Sequence, residues 1–203
     1  VKVAVVGAIA APSKVIVIPG LVLSTPDTIA EHGNVPGYSD LASVLRFFVP
    51  GTKPARTQIT ITPEDGTDQP TVVEATLDAG KVSETPLGAF PAGSYTVTAR
   101  ANVPIVAAAR ASVYSDGAEA GGSGNVDFAW FTAAPELKER ALVAVGRGSS
   151  PELHLANPTN SDATVSVEQS LTSSGKSSGT ARTVTVPAGG AIALSADNLN
   201  SYE

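Results

Sequence analysis

With 203 residues, 42% of them apolar and only 5% aromatic, the chain has material for two β-domains of about 100 residues each, with cores of Val, Ile, Leu and Ala. The net charge of −6 and the absence of any run of Lys or Arg argue against an electrostatic nucleic-acid surface. No Cys is present, which excludes disulfides and thiolate metal sites and fits either the cytosol or an extracellular surface that does without disulfides.

The first apolar run, VAVVGAIAA (Val3 to Ala11), is nine residues long and too short to span a bilayer. It mimics the apolar part of a signal peptide, with Ala8, Ile9 and Ala10 as a cleavage look-alike. The preferred reading is a strand, because the run resembles VPIVAAARA (Val103 to Ala111) and so fits a third, partial unit or one that completes a later copy. SKVIVIPG (Ser13 to Gly20) is a β-branched strand stopped by Pro19 and Gly20. STPDTIAEHGNVPG, residues 24 to 37, is rich in turn formers and reads as a long connection. YSDLASVL (Tyr38 to Leu45) reads as one helical turn or a lead-in to the next strand.

From Leu45 onward strand signals are dense. In TQITIT, Ile59 and Ile61 share one face while Gln58, Thr60 and Thr62 share the other, the period of a half-buried strand. PEDGTDQP (Pro63 to Pro70) makes a turn, and Val73, Ala75 and Leu77 form the next inward set. AGSYTVTARANVPIVAAARASVY (Ala92 to Tyr114) puts Tyr95, Val97 and Ala99 on one face and predicts two strands joined at Pro104, since an interior proline removes a ladder donor. SDGAEAGGSGN (Ser115 to Asn125) is a loop by composition. NVDFAWFTAAP (Asn125 to Pro135) alternates Val126, Phe128 and Trp130 against Asp127 and Ala129; paired back as a hairpin, it would lay the large rings over an aliphatic core. A boundary is expected at Pro135 to Arg140. Beyond it the inward pairs are Leu153 with Leu155, Val165 with Val167, Val184 with Val186, and Ile192 with Leu194.

The later half repeats the earlier one. ELHLANPTNSDATVSVEQS (Glu152 to Ser170) has the order of events of LRFFVPGTKPARTQITI from Leu45: an alternating run, a proline, a polar turn, a second alternating run. Pro158 answers Pro50, 108 positions on (158 − 50), TVPAGGA (Thr185 to Ala191) answers TLDAGKV (Thr76 to Val82), and NSYE (Asn200 to Glu203) answers GSYT (Gly93 to Thr96). Such a duplication sets the architecture better than any single motif. Short strands separated by regular turns predict an all-β chain of two tandem antiparallel β-sandwiches: residues 38–135 the first, residues 136–203 a C-terminally truncated second, and residues 1–37 N-terminal strands and a connection that complete one of them. Ser201, Tyr202 and Glu203 stop where the first copy enters SYTVTA, and no Met occurs, so the chain is expected to be part of something longer.

Candidates for chemistry are few. His154 alternates with Leu153 and Leu155 and is expected to face solvent; His32 lies in the connection beside Glu31, and neither sits in a nucleophile-elbow context. GKSS (Gly175 to Ser178) has Ser170 where a phosphate loop needs its first glycine, and no helix follows. EDGTD (Glu64 to Asp68) offers at most three carboxylates and lacks the alternating ladder of a calcium loop. With 19 acidic residues, no single pair stands out for glycoside cleavage. No catalytic, cofactor or metal site is expected. Trp130 with Phe128 on one face, and Phe131 on the other, is the one candidate ligand platform, although a lone Trp in an aromatic-poor chain is more often core.

The succession of a strand ending in NP or VP, an ATVSV-like strand, TVPAGGAIAL, then SYTVTARANVPIVAAARAS and DFAWFTAAP resembles the repeats of an actinobacterial family of secreted or membrane-anchored proteins of unknown function, over residues 38 to 203. VPG at Val49 to Gly51 departs from the NP of the second copy. The resemblance implies immunoglobulin-like sandwiches, an extracytoplasmic place at the cell envelope, and a membrane reached only through an anchor outside this sequence. The expectation is a non-catalytic scaffold, spacer or protein-interaction module; the alternative is a module binding cell-wall glycan. Its contact surfaces would be sandwich-end loops and exposed strand edges, and its partner a protein or cell-wall component, with no nucleic acid.

Overall fold

The computed structural model describes residues 11–23, 43–66, 69–115, 125–141, 143, 151–168 and 181–195. The run from Val3 to Ala10, the connection at 24–37 with His32, most of the loop after Ser115, GKSS and the final SYE lie outside the described residues. Those described form antiparallel β-strands and no helix. The chain divides into two compact units between Glu136 and Leu137.

In the first unit the strands are β1 (Ser13–Leu23), β2 (Val44–Phe48), β3 (Ala55–Pro63), β4 (Thr71–Leu77), β5 (Val82–Pro86), β6 (Gly93–Ser115) and β7 (Asn125–Thr132). β6 organises the unit. Its first half pairs with β3 on one edge and β1 on the other, and its second half pairs with β2 and β7. β4 extends the β3 side and β5 the β2 side.

The two strands expected on either side of Pro104 are therefore one. Inward alternation runs unbroken through Tyr95, Val97, Ala99, Ile105, Ala107, Ala109 and Ala111, all buried. Pro104 is exposed, between the last β3 pair at Ala101 and the first β2 pair at Val106. At that place no ladder to β3 or β2 needs its missing N–H.

β1 likewise continues through Pro19–Gly20, which was expected to end it. The register slips between Ile18↔Val97 and Leu21↔Tyr95, and Gly20 takes a left-handed φ of 68°. This is a β-bulge, in which proline and glycine are tolerated. The Glu64 carboxylate holds it: Oε1 accepts from the Gly20 amide at 2.9 Å and from the Thr96 hydroxyl at 2.6 Å, while the Glu64 amide donates to the Ser94 carbonyl at 2.9 Å.

Ile16, Ile18, Leu21 and Leu23 of β1 share one core with Leu45, Phe47 and Val49, with Ala55, Ile59 and Ile61, and with the inner face of β6. Burial of this aliphatic surface is the main force holding the unit together.

The second unit holds β8 (Glu152–Ala156), β9 (Ala163–Val167), β10 (Arg182–Val186) and β11 (Ala191–Ser195). β8 pairs with β11 and β9 with β10. These ladders repeat those of β2 with β5 and β3 with β4 in the same register. Leu45↔Thr85 becomes Leu153↔Leu194, and Thr57↔Ala75 becomes Val165↔Val184. The turn glycines match as well, Gly80 at φ 70° and Gly189 at φ 66°, a conformation open to glycine without strain. The duplication read from sequence is thus present residue for residue in the strand pairing.

Candidate ligand face around Trp130

On the outward side of β5, β2, β6 and β7 lie the rows Glu84, Arg46, Ala108, Thr132 and, one step along, Pro86, Val44, Arg110, Trp130, in which Val44 and Arg110 are buried and the surface is formed by the rest. β7 does pair back onto β6 as a hairpin, but its rings are turned the opposite way from the expected one. Phe131, opposite Ala109, packs on the core, while Phe128 and Trp130 stand outward, 52% and 40% exposed. The register decides this, since odd-numbered residues of β6 face inward and Phe131 is the ring set opposite one of them.

Arg46 knits the face together. Its Nε donates to Glu84 Oε1 at 2.6 Å, and its guanidinium carbon lies 5.3 Å from the Trp130 ring centroid. Reaching Trp130 diagonally requires a small residue between, and Ala108 is that residue. The half-exposed ion pair contributes on the order of 0–1 kcal/mol, and the cation–π contact about 0.5–1 kcal/mol at such a site. Neither interaction buries the indole. Phe48 and Val82, also exposed, extend the apolar part of the same surface. Such a face can stack a flat apolar ring or sugar ring on Trp130 and Phe128 while Arg46 and Glu84 offer a donor and an acceptor.

On the first half of β6, with β3 and β4, the outward side is polar. A trough of about 620 Å³ crosses the three strands, walled by Glu74, Gln58 and Arg100 on one side and Thr76, Arg56 and Asn102 on the other. Asn102 Oδ1 accepts from the Arg56 amide at 2.7 Å. All six residues are exposed, as on an ordinary solvated sheet face.

Two further sequence candidates have structural partners, while Thr67 and Asp68 of EDGTD lie outside the described residues. Glu64 anchors the bulge. His154 is more enclosed than its alternation with two leucines predicts: its side chain is 17% exposed, with Nε2 3.6 Å from Glu152 Oε2. Among the described residues no group of three or more His, Asp or Glu gathers into a metal site. No helix of the described residues is long and apolar enough to cross a membrane.

One polar residue was missed from sequence. Asn157, the Asn of the NP signature, is buried, and its Nδ2 donates to the carbonyls of Ser161 at 2.8 Å and of Val186 and Pro187 at 3.1 Å. Its Oδ1 accepts from the amide and hydroxyl of Thr159 at 3.1 and 2.7 Å. This closes the β8–β9 turn onto the β10–β11 turn. The signal available was the Asn-Pro pair facing a PAGG turn in the duplicated frame.

The sequence pattern of a family of unknown function, DUF5719, matches residues 3–197. The chain belongs to this family. No curated protein matches it. Among solved structures, Thermotoga maritima 1070 is similar at 20% identity, over 59% of this chain and 93% of that one, with a TM-score of 0.42. The Anabaena sensory rhodopsin transducer is similar at 17% identity, over 49% of this chain and 95% of that one, with a TM-score of 0.37. DUF5719 membership assigns no reaction, so the chemistry of the Trp130 face is read from its residues.

Proposed function

We propose that the protein is a non-catalytic module of the extracytoplasmic cell envelope, a scaffold or spacer that holds a protein partner or cell-wall component on the Trp130 face. The observation that carries this reading is the outward, half-exposed Trp130 beside Phe128 in a chain otherwise poor in aromatic residues. Large rings left in water cost stability that burial would recover, so their exposure favours a contact made elsewhere. An actinobacterial origin and a membrane anchor outside these residues come from the family resemblance. The immunoglobulin-like character is supported by Tyr95, whose hydroxyl donates to the Pro91 carbonyl four residues upstream at 2.9 Å, as in the tyrosine corner of such sandwiches.

The paired rings favour cell-wall glycan as the ligand over a protein partner, because a sugar stacks on an indole with its hydroxyls free to meet Arg46 and Glu84. The test uses Trp130 as the chain's only Trp. Titration with solubilised cell-wall fragments should give a saturable change in fluorescence, and pull-down by insoluble wall should be lost in Trp130→Ala and reduced in Arg46→Ala. If both variants are folded and bind as the parent does, the Trp130 face is not the ligand face. A folded parent retained by neither wall nor envelope extract contradicts the reading altogether.

A further inference from the structure

The outward side of β5, β2, β6 and β7 carries a second exposed apolar pair besides Trp130 and Phe128. Phe48 and Val82 are register partners at the other end of this side, 38% and 63% exposed, and neither belongs to the core. Between the two pairs stands the ion pair of Arg46 with Glu84, one outward step from Phe48 and Val82, and Arg46 also reaches Trp130. Val44 and Arg110, in the row of Trp130, are buried and leave the middle of the surface to that ion pair. Phe48 and Trp130 are two strands and two outward steps apart. At about 4.8 Å between strands and about 3.4 Å per residue, that is about 17 Å. One sugar ring covers one end and not the other.

We propose, on the reading of the Trp130 face as a glycan site, that its ligand is an extended, uncharged sugar chain lying along the diagonal from Val82 and Phe48 to Trp130 and Phe128. Its two ends stack on the apolar pairs, and its middle bonds to Arg46 and Glu84. The order apolar, polar, apolar favours such a chain. Equatorially linked sugars stay extended and offer flat C–H faces for aromatic rings, with hydroxyls at their edges that both give and accept hydrogen bonds. A few polar groups among apolar contacts then fix the ligand's orientation. The charge balance selects against an anionic polymer. Arg46 and Glu84 are paired with each other, so a hydroxyl between them meets a donor and an acceptor at once. A carboxylate or phosphate would have to take Arg46 from Glu84 and then face the displaced like charge. Phe48 is thereby the residue that sets ligand length, because a short ligand held at Trp130 never reaches it.

The probes are N-acetylglucosamine oligomers, a disaccharide and a hexasaccharide, titrated into the full chain with Trp130 fluorescence and calorimetry as readouts. The hexasaccharide should bind at least about tenfold more tightly, because its second contact is made by a ligand already held. Phe48→Ala should bring the hexasaccharide close to the disaccharide and leave the disaccharide unchanged. Val82→Ser, at the more exposed position on β5, should act in the same direction to a lesser degree with the fold intact. A long chain also gains affinity from the number of registers it offers, but that gain is indifferent to Phe48. Equal affinity for the two lengths overturns the proposal, as does a length preference that survives both variants. Tighter binding of a hyaluronan hexasaccharide, whose alternate sugars carry a carboxylate, overturns it as well. Loss of both oligomers together with retention of insoluble wall through Trp130 contradicts the proposal and leaves the glycan reading standing; a chain that binds neither oligomer nor wall contradicts both.

Discussion

Thr57 and Asn157 are both polar and both buried, with opposite consequences. The Thr57 hydroxyl sits on the inner face of β3 among aliphatics and has no hydrogen-bond partner, the situation in which a polar group costs stability. The second copy carries Val165 at that position. Thr57→Val should therefore stabilise the first unit by about 1 kcal/mol, read as a rise in the denaturation midpoint; a fall would show that the hydroxyl has a role unseen in its contacts. Asn157 instead satisfies three carbonyls that face one another across two turns. Asn157→Ala removes its amide from all three, with the Pro187 carbonyl keeping the Gly190 amide and the Ser161 carbonyl the Thr159 hydroxyl, and should cost about 1–3 kcal/mol, seen as loss of exchange protection in β8 to β11. Neither residue was legible beforehand: alternation places a side chain on a face, but whether its polar atoms find partners depends on turns brought together from distant sequence.

At the scale of the element, alternation predicted most inward faces correctly. Ile59 and Ile61, then Tyr95, Val97 and Ala99, are buried as their period of two requires. The errors came from residues that usually end strands. Pro104 and Pro19–Gly20 were read as breaks because a proline cannot donate, yet each occurs where the ladder changes partner or bulges. Sequence alone does not show which edge of a strand is bonded. The bulge also gives Glu64 a duty that its acidic loop did not suggest. Glu64→Ala, which strips the acceptor from the Gly20 amide and the Thr96 hydroxyl, should cost about 2–3 kcal/mol, and Glu64→Gln, which keeps an oxygen there, roughly half as much. Equal losses in chemical denaturation would mean that the charge, and not the hydrogen bonds, holds β1. The ring faces of β7 were misjudged for a related reason: a one-residue choice of register exchanges Phe131 for Trp130 at the core, and an aromatic-rich run fits either.

For the molecule as a whole, the internal repeat was the most informative signal, because two copies constrain one another. The spacing between Pro50 and Pro158 anticipated the pairing of eight strands in two matched sets, although single segments such as YSDLASVL were ambiguous. Function was less accessible. The chain's polar residues near its motifs maintain turns and bulges, and the face most suited to a ligand is marked only by the outward turn of one indole. The claim on which the account turns is that β8 pairs with β11 in the register of β2 with β5. Because the chain has no cysteine, a double variant reports this directly: His154→Cys with Ala193→Cys, the equivalents of Arg46 and Glu84. Mild oxidation should close an intramolecular disulfide in that pair and leave His154→Cys with Ile192→Cys, shifted by one residue and on opposite faces, reduced. Cross-linking of the shifted pair in preference to the first would contradict the account.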